Sequence, residues 1–346
     1  MRQFKRVLAV IIAAIMMMSF ASCSMTPETE TDITNDNVEI GLLLSGTKDA
    51  TEGEAGYCMA AVNELINAGY GINDEKFKYA ENVDTEDAGA IDAAITSLLN
   101  HECHLIIADD EAYIEGIRKA AADENNVNVK FLVPNAENEG DNIFGYEADI
   151  TTAAYLTGIV AGMKAAELQN PKLGFLAEDD KDLTVLNAFA MGAKSVNDAA
   201  TISVVYGTDT AAAADKLIKD GCVVLASDYE AEAIATAADE AKIFFCGFGS
   251  EVYASHTDSF LCAPVYNFTQ IYIDAIKAIV DGKVPAEGAF QGDYKTGATY
   301  LADLNENLVA EGSQDAVNKT VKEITGGQLT FTVNATEAFD NVVVVK

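Results

Sequence analysis

The sequence predicts a two-lobed α/β fold in which each lobe is a mostly parallel sheet flanked by helices, with a hinge between the lobes. Three observations predict this fold. Apolar strand-like runs alternate with segments of helical spacing through the first half of the chain, the second half repeats the scheme, and a distinct segment, Glu147–Asp180, lies between them. The chain has 346 residues, of which 49% are hydrophobic, so it can bury two cores.

The first half has the predicted order βαβαβαββ, which favours a parallel sheet covered by helices on both faces. Its predicted strands cover residues 38–44, 76–79, 104–108, 129–133 and 142–146, and its predicted helices cover 54–68, 85–100 and 111–122. Gly69 and Gly71 close the first helix, and Pro134 stops the fourth strand.

Glu147–Asp180 is the predicted passage from the first lobe into the second. It contains a predicted helix whose small residues share one face: Ala153, Ala154, Gly158, Ala161 and Gly162. Pro171 ends that helix, and an apolar strand at 172–177 runs into the acidic residues 178–180. A ligand bound between the lobes would lie near this passage.

The second half repeats the alternation and ends in mixed structure. Predicted strands cover 172–177, 202–206, 222–226, 243–246 and 260–265, and predicted helices cover 182–196, 211–219, 230–240 and 268–280. Further on, 299–301, 329–333 and the β-branched tail 342–345 are predicted to be extended, and 314–324 to be helical. We therefore assign 38–150 and about 250–283 to the first lobe, and 151–249 and about 284–346 to the second.

The N-terminus has the pattern of a targeting segment. Basic residues precede an apolar run at 7–18 that is too short to span a bilayer comfortably, and small residues then precede Cys23. This pattern resembles a bacterial lipoprotein signal, so 1–22 is predicted to be removed and Cys23 to be lipid-modified, for example with palmitate. An ordinary secretory signal is the alternative. The polar stretch up to residue 37 would be a flexible tether, which places the protein on the extracytoplasmic face of the cell membrane.

Composition excludes several classes of function. The net charge is −33, and such a surface repels nucleic acid and anionic lipid headgroups. The chain has no GxSxG, Walker A or HExxH motif, and no complete GxGxxG, so no catalytic residue and no cofactor is predicted. His101 and His104 flank a helix end, where their side chains diverge, and no metal site is predicted. The five cysteines after Cys23 include no CxxC and predict no disulfide framework.

Candidate binding residues follow from the rule that ligands meet the loops at the carboxyl ends of parallel strands. The predicted ligand-binding residues are Ser45, Thr47, Asp49, Asp109, Asp228, Phe248, Glu251, Tyr266 and Asn267. Carboxylates accept hydrogen bonds from vicinal hydroxyl groups, and aromatic faces stack on bases or sugars. For each of these acids, the alternative to ligand binding is an ordinary position on the solvated surface. For Phe248 and Tyr266, the alternative is packing between the lobes. Tyr57 could stack on a base, although a core position is favoured.

Several segments together carry a family resemblance. They are 153–164 followed by 172–176, Phe189–Ala193, 243–247 with its downstream strand and the helix after Asn267, and 279–292. In order and spacing, 38–334 resembles the basic membrane lipoprotein family of ABC transporter substrate-binding lipoproteins, often associated with purine nucleosides. Four positions depart from the family. Glu52 and Gly53 replace an aromatic residue and an asparagine, an acid is missing at Gly247–Gly249 unless Glu251 substitutes, and Tyr266 replaces a lysine.

The resemblance implies a periplasmic-binding-protein-like fold of type I. It also implies a lipid-anchored receptor that captures a small solute, with a purine nucleoside favoured, and delivers it to an ABC transporter permease. The alternatives are a ligand-sensing surface lipoprotein, a binder of sugar or another solute, and, least favoured, a surface nucleoside hydrolase. A monomer is expected because no sustained heptad repeat occurs.

Overall fold

The computed structural model describes residues 38–68, 72–229, 232–250, 252–283, 285–286 and 288–345. The predicted signal 1–22, the tether 23–37 with Cys23, and Glu251 lie outside the described residues. No helix in these described ranges has both the length and the apolar character needed to cross a bilayer.

The first sheet is parallel throughout and confirms the predicted βαβαβαββ order. Its strands are β1 (Ile40–Leu43), β2 (Phe77–Ala80), β3 (Leu105–Ala108), β4 (Lys130–Pro134), β5 (Ile143–Ala148) and the short β11 (Gln291–Gly292). They are arranged in the order β11-β5-β4-β3-β1-β2. The intervening helices are α1 (Gly53–Asn67), α2 (Ala88–Asn100) and α3 (Ile114–Ala121). Every residue of β1 and β3 is buried, as expected for strands covered on both faces.

The second sheet repeats this arrangement. Its strands are β6 (Lys172–Ala177), β7 (Thr201–Tyr206), β8 (Val224–Ser227), β9 (Phe244–Phe245) and β13 (Val342–Val344), in the parallel order β13-β7-β6-β8-β9. The helices that accompany them are α4 (Thr151–Glu167), α5 (Thr184–Val196), α6 (Thr210–Lys219) and α7 (Glu232–Ala241). In both sheets the first strand lies between the second and the third, which is a doubly wound order.

The remaining elements link the sheets. β10 (Pro264–Tyr266) and β12 (Thr299–Leu301) form an antiparallel pair, α8 (Thr269–Val280) packs in the core of the first sheet, and α9 (Ser313–Thr325) packs in that of the second. In the described part of the chain, connections pass between the sheets at 149–150, 267–268 and 293–298. The lobe boundaries stay a prediction; β11, from the range assigned to the second lobe, pairs with β5.

One strand prediction in the C-terminal half was wrong in extent. Of the predicted strand 260–265, only 264–265 lie in a strand, which continues to 266, and Phe260 forms an isolated bridge with Phe245. The segment 329–333, which was predicted to be extended, pairs with no strand; it lies against α4, where the ring of Phe331 stacks on that of Tyr155 with centroids 4.4 Å apart. Both runs are apolar because they cover a core rather than because they pair in a sheet.

The small residues of α4 allow an unusually close contact with α5. A Cβ atom built on Gly158 would overlap the carbonyl of Phe189, and one built on Gly192 would overlap the carbonyl of Tyr155. The two helix backbones therefore touch directly, and the loss of side-chain volume is the reason they can. This contact fixes α4, which begins at the connection between the sheets.

Candidate functional site

Ser45 and Asp109 meet at the carboxyl ends of two neighbouring strands in the first sheet. Ser45 follows β1 and Asp109 follows β3. The Ser45 backbone N–H donates to both carboxylate oxygens of Asp109, at 3.1 and 2.9 Å, and its hydroxyl donates to Oδ2 at 2.9 Å. Asp109 is only 1% exposed. Burial raises the pKa of its carboxyl to about 6, although the bonds from Ser45 act in the opposite direction.

The second sheet repeats this pairing with Asp228. Glu178 follows β6 and Asp228 follows β8, which are the strands that correspond to β1 and β3. The Glu178 backbone N–H donates to Asp228 Oδ1 at 3.0 Å. Burial raises the pKa of Asp228 to about 7. Each sheet therefore presents one aspartate, held by the loop of the adjacent strand, at its carboxyl edge.

Acids at the carboxyl edges of the two sheets lie close enough for their charges to interact, and we call the space between them the cleft. Glu54, in the first turn of α1, is accessible to solvent yet closely surrounded by protein. Its pKa is raised to about 7, first by burial and then by the charges of Asp110, Asp109, Glu111 and Glu178. Glu178 follows a strand of the second sheet, so its effect on the pKa of Glu54 indicates that acids from the two sheets lie near each other.

A cavity of about 360 Å³ lies beside this cleft, between α1 and the segments that link the sheets. It is lined by Ala50, Thr51, Gly56, Tyr57, Ala60, Ala61, Asn63, Glu64, Gly249, Ser250, Val265, Tyr266, Asn267 and Tyr300. We call it the tyrosine cavity. The ring centroids of Tyr57 and Tyr266 are 5.1 Å apart. Its volume is in the range of sites for small molecules, and three of its lining side chains are aromatic with a polar hydroxyl.

Gly249 allows Tyr57 to sit where it does. Gly249 has a φ of +74°, and a Cβ atom built there would overlap the Tyr57 hydroxyl. Next to it, the Ser250 hydroxyl donates to the Thr51 carbonyl at 3.2 Å. The segment after β9 is therefore held against the start of α1, and only glycine fits at position 249.

The structure brings together some of the predicted site residues. Tyr266 and Asn267 line the tyrosine cavity, and Asn267 Oδ1 also accepts a bond from the Thr269 N–H at 3.1 Å, at the start of α8. The ring of Phe248 meets that of Tyr266 edge-on, with centroids 6.0 Å apart, but Phe248 is buried against α4. Thr47 and Asp49 are exposed in the loop after β1. The roles of all these residues in binding stay predictions.

Several residues of the site were missed or assigned to the core by sequence reasoning. They are Thr51, Glu54, Tyr57, Ser250 and Tyr300. Glu54 carried a usable signal, because an acid in the first turn of the helix after the first strand lies at the carboxyl edge of the sheet. Tyr57 is 6% exposed and does pack in the core of the first sheet, as favoured, but it also lines the cavity.

The described residues contain no group of three or more His, Cys, Asp or Glu side chains arranged to hold a metal ion. His104 Nδ1 instead accepts a hydrogen bond from the Glu39 backbone N–H at 3.2 Å. All five cysteines after Cys23 are buried free thiols.

Comparison with known proteins gives a family match over most of the chain. The family described as ABC transporter substrate-binding protein, PnrA-like, matches residues 68–328. A putative ABC transporter glucose-binding protein of Haloferax volcanii is 29% identical over 197 residues, which cover 55% of this chain and 49% of the relative. A purine-binding protein of Brucella abortus is 24% identical over 207 residues, which cover 58% of each. The chain thus spans about half the length of these curated relatives.

The same fold occurs in solved structures of solute-binding proteins. One is an ABC transporter solute-binding protein from Conexibacter woesei, with a TM-score of 0.68 and 16% sequence identity. The match covers 86% of this chain and 99% of that one. At this level of identity the similarity concerns the fold, and it confirms the predicted type I arrangement of two parallel sheets flanked by helices.

Proposed function

Since this chain belongs to the PnrA-like family of ABC transporter substrate-binding proteins, as its sequence predicted, we propose that it captures one small solute between its two sheets and delivers it to a membrane permease. Proteins of this class work outside the cytoplasm and bind solutes rather than transform them. For this chain we propose a lipid anchor at Cys23, removal of 1–22, and a monomer tethered by residues 23–37.

The proposed solute is a purine nucleoside. The observation that carries this proposal is the tyrosine cavity beside a cleft lined with carboxylates. A planar base can stack on the rings of Tyr57 or Tyr266, and the carboxylates can accept hydrogen bonds from the hydroxyl groups of a ribose. The name of the Brucella abortus relative points to the same class of ligand. The Haloferax volcanii relative supports a sugar as the alternative solute.

The charge of the cleft adds a second element of specificity. Glu54 and Asp109 on one wall and Glu178 and Asp228 on the other are all acids, and the shifts at Glu54 and Asp228 come from burial and from like charges. A phosphate group would add further negative charge to this space. We therefore propose that the site accepts nucleosides and rejects nucleotides.

Closure of the lobes would bring these acids closer together. Hydrogen-bond donors on the solute would then offset the repulsion, as would proton uptake by Glu54 and Asp228, whose pKa values are about 7. We propose that an empty protein is held open by this repulsion and that the bound solute favours the closed form.

The first test is mass spectrometry of small molecules released when the purified full chain is denatured. A purine nucleoside would support the proposal. A sugar would keep the transport role and overturn the proposed solute. If the purified protein holds no solute, calorimetric titration with adenosine, guanosine, inosine, glucose and a nucleoside monophosphate shows which class of solute binds. Absence of binding to every one of these would contradict the proposed solute class, and release of free base would indicate hydrolysis instead.

Two variants of Tyr266 then test the site. Tyr266→Ala removes the ring and is expected to weaken nucleoside binding about 10- to 100-fold, the usual size of an aromatic stacking contribution. Tyr266→Phe keeps the ring and serves as the matched control, with a change of about threefold or less. If Tyr266→Ala and the unmodified protein bind the nucleoside with equal affinity, the base does not stack on Tyr266.

A further inference from the structure

Two buried thiols lie next to each other on the segments that lead to the tyrosine cavity. Cys246 follows β9 and Cys262 precedes β10, and they are 1% and 0% exposed. Their Sγ atoms are 3.9 Å apart. The backbones around them are paired, because the Gly247 N–H donates to the Cys262 carbonyl at 3.0 Å and the Leu261 N–H donates to the Phe245 carbonyl at 2.9 Å.

This pairing places the two sulfur atoms within reach of a covalent bond. Neighbouring strands lie about 4.8 Å apart, within the range of Cα separations that disulfides span. A disulfide needs the sulfur atoms at about 2.05 Å, so rotation of the two side chains has to close the remaining gap. Cys58, Cys103 and Cys222 each pack in a different hydrophobic cluster, so these three cysteines are not placed to form disulfides with one another.

We propose that Cys246 and Cys262 form a redox-active pair that closes to an intramolecular disulfide when the protein meets a disulfide oxidant outside the cytoplasm. This is the compartment in which the family works and in which disulfides persist. The oxidant is either a small disulfide such as oxidised glutathione or a disulfide oxidoreductase.

The chemistry needs two exchange steps. One cysteine, as its thiolate, attacks a sulfur of the oxidant and releases one thiol, leaving a mixed disulfide on the protein. The second cysteine, as its thiolate, attacks the protein sulfur of that mixed disulfide and releases the second thiol. Two electrons and the two thiol protons pass to the oxidant. Because burial raises the pKa of Cys262, the reaction requires the paired segments to separate transiently.

The disulfide would link two segments that contribute residues to the tyrosine cavity, and it would also stabilise the fold. The paired segments lead directly to Gly249 and Tyr266, both of which line the tyrosine cavity. A covalent link between them closes a short loop and restricts the unfolded chain. We expect the oxidised protein to melt about 5–10 °C higher than the reduced protein.

The experiment treats the purified full chain with oxidised glutathione, blocks the remaining thiols, and identifies cross-linked peptides by mass spectrometry. The expected product joins Cys246 to Cys262, raises the melting temperature, and reverts with dithiothreitol. Cys262→Ser should abolish both effects, while Cys222→Ser, a matched change at another buried thiol, should leave them intact. If Cys262→Ser fails to fold, Cys262→Ala takes its place.

Two results would overturn the proposal. One is that both thiols remain available to the blocking reagent after unfolding, which means that no bond formed. The other is a cross-link that joins either cysteine to Cys58, Cys103 or Cys222. The peptide analysis of the unmodified chain decides between these outcomes even if no variant folds.

Discussion

The buried carboxylate of Asp109 should cost folding free energy at neutral pH, and Asp109→Asn tests this. Burial raises the pKa of Asp109 from 3.8 to about 6. An acid whose pKa is raised by folding binds its proton more tightly in the folded protein. Its contribution to stability is therefore largest at low pH and is lost as the pH rises from about 4 through about 6. Above pH 7, the shift lowers the free energy of unfolding by about 3 kcal/mol.

Asparagine removes the charge and keeps the shape. Its Oδ1 can still accept the Ser45 N–H, and its amide group can donate to the Ser45 hydroxyl, which now binds the carboxylate. We therefore expect Asp109→Asn to be more stable than the unmodified protein by about 1–3 kcal/mol near pH 8, and the difference to approach zero only as the pH falls below about 4.

Urea unfolding followed by circular dichroism across this pH range measures the effect, since the chain contains no tryptophan. Asp49→Asn, in the exposed loop after β1, is the control and should show no such trend. A variant at Asp109 that is less stable near pH 8, or whose difference is independent of pH, would refute the reasoning. It would mean that the bonds from Ser45 outweigh the cost of burying the charge.

Three further substitutions test packing and polar contacts. Gly192→Ala places a methyl group against the backbone of the facing helix and should cost about 2–4 kcal/mol in thermal unfolding. Gly249→Ala combines a positive φ with an overlap on Tyr57, so it should lower both the melting temperature and the affinity for solute measured by calorimetry. Asn187→Ala removes the hydrogen bonds that hold 334–339 to α5 and should increase amide exchange there by about tenfold or more.

The alternation of strands and helices was predictable because it depends on local pattern. The strand 172–177 was predicted with its observed bounds, since a proline precedes the apolar run and acids follow it. The run 260–265 is also apolar but is a strand only from 264 onward. An apolar run indicates that a segment is buried, but it does not indicate whether the backbone of that segment pairs in a sheet.

The site was predictable only where it follows from sheet topology. Ser45, Asp109 and Asp228 were selected because ligands meet the loops at the carboxyl ends of parallel strands, and the structure places each of them at such an edge. Tyr57 could not be assigned in this way. Its spacing on α1 suits a core residue, and it lines a cavity only because a segment about 190 residues later in the chain packs beside it.

The same contact changes the meaning of one departure from the family pattern. In the sequence, the segment Gly247–Gly249 lacks an acid that the family resemblance places there to hold a ligand, unless Glu251 substitutes. In the structure, the space that any side chain at 249 would need is filled by the Tyr57 hydroxyl. The two positions are therefore physically coupled, because any side chain at 249 would require both a smaller residue at 57 and a backbone without the positive φ of +74°. Specificity at this end of the site should change through such pairs, and Tyr266, which contacts Tyr57, extends the coupling across the cavity.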